Sequence, residues 1–247
     1  MRRNHEIFAT AMIAIVWVVQ PAGAKDVRAR FEKAAAVLRE LTGSSDHGLR
    51  PKDLANADCV VILPSFYRGA EVQGEIFQGG VLLEVSFGRG FITCRDGDVW
   101  SAPGAITLEG GSLGVQIGEE LDIVILSIDK HMRSNLLSGK FTIGRDALAS
   151  WGNGKPDPAN ARSKILLFGS SKRKLTGFDL NRAVLKSDDS VNGRLYHRAI
   201  QNSEIVRTGT VTPAVAQPLI SKITSLTVLV DQGVGQVVEQ RLSHHDP

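Results

Sequence analysis

The chain has 247 residues, of which 43% are hydrophobic and 22% charged, with a formal net charge of +3. That composition is ordinary for a globular domain, and the length suffices for one domain with a sizeable core or for two small ones. So mild a charge balance argues against nucleic acid as a partner.

The N-terminus has the three parts of a secretory signal. Arg2 and Arg3 supply positive charge, Phe8 to Val19 is an uninterrupted apolar run, and Ala22-Gly23-Ala24 offers small residues at the cleavage positions behind Pro21. Counted from 8 to 19, the run holds 12 residues, whereas spanning a bilayer takes about 20. A retained membrane anchor is the alternative, and its length argues against it. The pattern predicts a cleaved signal over 1–24 and an exported protein beginning near Lys25, periplasmic or peripheral to the envelope membrane. No cysteine follows the cleavage site to carry a lipid.

From Lys25 the pattern turns helical. Val27, Phe31, Ala34, Leu38 and Leu41 draw one apolar stripe, with Arg28, Arg30, Lys33 and Arg39 off it and Gly43 as the stop signal. Two readings of this amphipathic segment, residues 25–43, stand side by side. It packs on its own sheet, or it lies in a bilayer interface with its cations toward anionic headgroups. A short helical turn is predicted at Pro51 to Ala57.

Beyond Ala57 the character is strand-like. Cys59 to Leu63 reads as a buried strand ended by Pro64, and further pieces recur at Gly80–Phe87, Gly90–Arg95, Ala105–Leu108, Leu113–Ile117 and Leu121–Ile128. Glycines set among β-branched residues fit an antiparallel sheet or barrel with tight turns rather than βαβ units. Helical or loop segments are expected at Lys130–Leu137 and Ala147–Trp151, with the chain's strongest loop signal at Gly152 to Asn160. A last strand pair is expected at Lys164–Phe168 and Thr176–Leu185, then a turn at Asp188-Asp189-Ser190. A helix broken by Pro218 follows over Pro213–Val230, and residues 231–247 form a frayed tail.

Chemistry-bearing motifs are few. Cys59 and Cys94 pair in an oxidising compartment if their strands are neighbours, or else remain two buried thiols. Gly110-Gly111-Ser112-Leu113-Gly114 matches the G-x-S-x-G of serine hydrolases, but Val115 to Gly118 behaves as a strand where that motif needs a helix. The six histidines make no metal-ligand spacing, and no phosphate-cradling glycine loop is present. No cofactor or metal is therefore expected. Lys172-Arg173-Lys174 makes a local positive spot, each cation worth about 1 kcal/mol beside an anionic membrane.

Several ordered pieces resemble the SYLF domain family over roughly Leu49 to Ile200. They are Ala57 to Pro64 (ADCVVILP), Gly79-Gly80-Val81-Leu82, Trp100-Ser101-Ala102-Pro103, Gly110 to Gly118 (GGSLGVQIG) with Asp122 to Leu126, and Lys140-Phe141-Thr142-Ile143-Gly144. The resemblance implies an α+β fold, a β-rich antiparallel, barrel-like sheet with flanking helices over about 44–230. It implies non-catalytic phospholipid binding, in which an amphipathic helix ahead of the domain takes part, and it makes the Ser112 stretch a structural hairpin. The chain departs from the family at Phe168 to Gly177 and at Gly152 to Pro156. For an exported protein, anionic glycerophospholipids are the expected ligand. On this reading Phe31 and Leu38 insert shallowly, while Arg28, Arg30 and Lys33, with Lys172, Arg173 and Lys174, hold headgroups. The alternatives are a protein-interaction or structural envelope component, and, more remotely, a hydrolase using Ser112.

Overall fold

The computed structural model describes residues 22–43, 48–73, 81–110, 120–152, 164–170, 180, 182–207 and 209–231. The expected export signal up to residue 21, Ser112 with the strand expected at 113–117, most of the loop expected at 152–160, Lys172-Arg173-Lys174 and the tail from 232 all lie outside these residues.

Helix α1 (Ala22–Gly43) and the short α2 (Pro51–Ala55) precede the sheet. The strands are β1 (Cys59–Gln73), β2 (Val81–Asp96), β3 (Val99–Trp100), β4 (Gly104–Glu109), β5 (Glu120–Ser127), β6 (Lys140–Thr142), β7 (Ala149–Trp151), β8 (Ile165–Ser170) and β9 (Val184–Ser187). Their spatial order is β6-β9-β4-β2-β1-β5-β8-β7, with β3 added to the end of β2. The sheet is strongly curled into a half-barrel, and the fold is α+β with an N-terminal helix, as expected. Neighbouring strands run antiparallel except β7 on β8, which is parallel. One chain segment, residues 140–151, supplies both edge strands, and an isolated bridge from Ile143 to Ala147 ties them together.

The two-residue period of a strand divides the apolar residues between two cores. Cys59, Val61 and Leu63 of β1 and Leu121, Ile123 and Ile125 of β5 face one side. There they meet Phe141 of β6 and Met132 and Leu136 of α3 (Met132–Leu136). Val60 and Ile62 of β1 and Val124 and Leu126 of β5 face the other side. The stripe of α1 and Leu219, Ile223 and Leu226 of α6 (Gln217–Asp231) cover that side. Trp100 Nε1 donates to Thr227 Oγ1 at 3.3 Å, pinning α6 to the sheet. Cys59 and Cys94 stand opposite each other on β1 and β2, 4.0 Å apart at Cα, and are joined by a disulfide.

Six local expectations change. Pro64 does not end β1; the strand absorbs it in a bulge, six residues from Ile62 to Tyr67 facing five from Phe91 to Phe87. Gly88 and Gly90 are not turn glycines but interior positions of a continuous β2. There a Cβ at Gly88 would lie 2.6 Å from the Phe66 ring, and one at Gly90 would collide with the Ile62 carbonyl. Ala149–Trp151 is an edge strand rather than helix or loop. Val184–Ser187 pairs with β4 and β6, not with β8. The expected turn at Asp188 instead starts α4 (Asp189–Tyr196), because the Asp188 carboxylate caps it by accepting from Val191 N at 3.1 Å. Similarly Pro218 sits in the first turn of α6, where its missing N–H costs nothing, so it does not break the helix.

A buried polar clamp secures β4. Asn192 Oδ1 accepts from Ala105 N at 2.7 Å, and Asn202 of α5 (Asn202–Ile205) donates to Ala105 O at 3.1 Å. The two amides are joined by a 2.7 Å bond from Asn192 Nδ2 to Asn202 Oδ1.

Candidate anion-binding groove

The polar side of α1 and the β1 bulge enclose a groove of about 320 Å³, lined by Asp26, Ala29, Arg30, Lys33, Pro64, Ser65, Phe87 and Arg89. The bulge builds its floor. Ser65 takes a left-handed backbone (φ 62°), which strains a non-glycine residue. The conformation is held by a 2.8 Å bond from Ser65 N to Asp122 Oδ1. It lets the Ser65 hydroxyl accept a hydrogen bond from Lys33 Nζ, across from the helix.

Three cations and one carboxylate line the groove, a local balance of 3 − 1 = +2. Arg30 is only 11% exposed and donates to Asp26 Oδ2 at 2.6 Å. Burial pushes its guanidinium below the ordinary value; Asp26 acts against that, while Arg89 and Arg194 add to it. Like charge is thus gathered around a partly buried guanidinium, with Lys33 and Arg89 on its exposed rim. Arg89 is exposed and lies 5.1 Å above the Phe87 ring centroid, a cation–π arrangement that positions it over the groove. Ala29, Pro64 and Phe87 complete apolar walls, so the site presents cations beside hydrocarbon.

The residues singled out in sequence fall into three groups. Arg30 and Lys33 meet in the groove, while Arg28 is exposed on α1 outside its lining. Lys172, Arg173 and Lys174 lie outside the described residues. Phe31 and Leu38 require correction as inserting residues, since both are 0% exposed. Phe31 stacks on Phe91 with ring centroids 3.6 Å apart and planes within 10°. The stripe they belong to is the face α1 uses to cover the sheet, which is the packed reading of the helix. Sequence reasoning missed Ser65, Phe87 and Arg89. The one available signal was Gly88-Arg89-Gly90, a cation between two residues without side chains.

Buried Asp58 has its carboxyl pushed up by desolvation, while Arg133, whose Nε lies 3.7 Å away, pulls it down. Among the described residues no group of three or more His, Cys, Asp or Glu comes together to hold a metal ion. Nor, among those residues, is any helix long and apolar enough to cross a membrane.

An α+β half-barrel covered by its own N-terminal helix, with a cationic groove at the helix–strand seam, is the class of protein the fold and site define. Residues 109–226 match the family described as "Ysc84: Las17-binding protein actin regulator", in line with the SYLF resemblance of the sequence. The chain is 27% identical over 223 residues to an SH3 domain-containing protein of Schizosaccharomyces pombe, covering 84% of this chain and 49% of that one. It is 26% identical over 216 residues to the human SH3 domain-containing YSC84-like protein 1, covering 82% and 60%. Against the protein YSC84 of Saccharomyces cerevisiae it is 26% identical over 213 residues, covering 81% and 44%. The chain thus spans roughly half the length of these curated relatives. No solved structure matches it.

Proposed function

We propose that the protein is an exported, non-catalytic module that binds the anionic surface of a phospholipid membrane. The observation that carries this reading is the groove: Arg30, Lys33 and Arg89 gathered beside Ala29, Pro64 and Phe87. Cations next to hydrocarbon suit a ligand that is itself a phosphate joined to acyl chains. Arg28, with Lys172, Arg173 and Lys174, would add to the attraction as outer cations at the membrane surface. Residues 1–24 address the chain to the envelope, so the mature protein begins at Lys25.

Co-sedimentation with phosphatidylcholine vesicles, with and without phosphatidylglycerol, at low and high salt, tests the reading. Binding is expected only to the anionic vesicles and to fall as salt rises. Each cation contributes about 1 kcal/mol near such a surface, so Arg89→Glu is expected to weaken binding about tenfold or more. Indifference of the wild-type protein to anionic vesicles sinks the proposal. Export is checked separately by the mass of the mature N-terminus.

A second reading, a protein-interaction component of the envelope, draws on the family's description as a Las17-binding actin regulator. Exposed Val99, Ile128 and Leu148 offer apolar surface for such a partner. It predicts partner capture that does not respond to lipid charge.

A further inference from the structure

Asp26 and Arg30 stand four residues apart on α1, so their side chains meet on one face of the helix. Arg30 Nη2 donates to Asp26 Oδ2 at 2.6 Å, and both residues line the groove. The pair is unequal in burial: the Arg30 side chain is 11% exposed and that of Asp26 65%. The carboxylate is thus the partner that faces water, and the guanidinium lies behind it.

One other carboxylate, Asp188, acts on Arg30, and the like charges opposing it come from Arg89 on β2 and Arg194 on α4. Asp188 is committed elsewhere. Its Oδ1 caps α4, accepting from Val191 N at 3.1 Å and from Ser190 Oγ at 2.9 Å. Asp26 is tied instead to the guanidinium of the groove. An exposed ion pair one helical turn long adds little net stability, so the bond to Asp26 is cheap to break. Neutralising Asp26 raises the balance of the lining from +2 to +3, because Asp26 is the one carboxylate among the lining residues. A guanidinium offers five donors in a planar fork, and a phosphate can take two of them at once. Paired charge-assisted bonds of that kind outbid the single bond from Nη2 to Oδ2.

We infer that Asp26 is the groove's own stand-in for an anion, holding Arg30 until the phosphate of an anionic phospholipid displaces it. This deepens the membrane-binding reading above and rests on it. Asp26 tunes affinity by competition: it keeps the guanidinium oriented in the empty groove, and it sets a threshold that a weakly charged surface does not cross.

The test uses the full-length protein and vesicles of phosphatidylcholine with and without phosphatidylglycerol. Asp26→Asn is expected to bind the anionic vesicles about fivefold more tightly, the effect of one charge near such a surface. In an Arg30→Gln background the same change is expected to gain less than about twofold, since the two residues act as one unit. Because Arg30 is largely buried, Glu32→Gln provides a second comparison that leaves it in place. Glu32 is exposed on α1 outside the lining, and its neutralisation is expected to gain less than about twofold. Inorganic phosphate is the soluble arm, and a gain for it without a gain for vesicles overturns the lipid assignment. If wild type binds anionic vesicles and Asp26→Asn binds no better, or Glu32→Gln gains as much, the inference falls and the membrane reading stands. If wild type binds no vesicle, both fall together.

Discussion

Ser65 and Gly90 lie on either side of the same bulge, and each has the backbone its place requires. Ser65 accepts a left-handed conformation so that its hydroxyl can meet Lys33. Gly90 lacks a side chain because the Ile62 carbonyl occupies the space where a Cβ would stand. Backbone cannot retreat as a flexible side chain can, so Gly90→Ala must shift β1 against β2 and with it the groove floor. The expected cost is about 1–3 kcal/mol, the range of core overpacking, measured by denaturant unfolding. Gly193 within α4 is the control, since a Cβ there would stand 3.8 Å from the nearest atom, the Arg198 carbonyl. Gly193→Ala is expected to leave stability unchanged or raise it by up to about 1 kcal/mol, as alanine outranks glycine inside a helix. Equal losses in the two variants would refute the close-approach account.

At the scale of elements, α1 decides how the sequence pattern is to be read. An apolar stripe flanked by cations describes a helix on a bilayer and a helix on a sheet equally well. Phe31 separates them, because its ring is stacked on Phe91 and wholly enclosed. Phe31→Ala is therefore expected to cost about 3–5 kcal/mol of folding stability through the cavity it leaves. Arg28→Glu on the exposed side should stay within about 0.5 kcal/mol. Paired thermal melts of the two variants check this. A Phe31→Ala protein that melts like wild type but loses vesicle binding would restore the insertion reading.

Across the whole molecule, the curled sheet is held at several distant points. The segment 140–151 links its two edges, α1 and α6 cover one face, and the disulfide joins positions 35 apart in sequence on the two longest strands. Closing a loop of that length restrains the unfolded chain by about 3–4 kcal/mol. Reduction is expected to lower stability by about that amount in denaturant melts run with and without a thiol. Coincident curves would mean that the bridge carries no stability.

Much of the fold was legible in the residues themselves. The stripe from Val27 to Leu41, the alternation in Cys59–Leu63 and the continuous run Leu121–Ile128 are local patterns whose periods match helix and strand. The ordered SYLF-like pieces likewise pointed to the family that residues 109–226 match. Half the site was visible too, in Arg30 and Lys33. Arg89, Ser65 and Phe87 were not, because they meet α1 only through a bulge and a register shift, and neither is written in any local spacing. What the sequence alone determined were the periods: which segments are helix or strand, and which of their faces are apolar. The tertiary structure alone decided what each apolar face covers, turning Phe31 and Leu38 inward against the sheet. Burial is a relation between segments far apart in the chain, and a hydrophobic face shows its need for a partner without naming it.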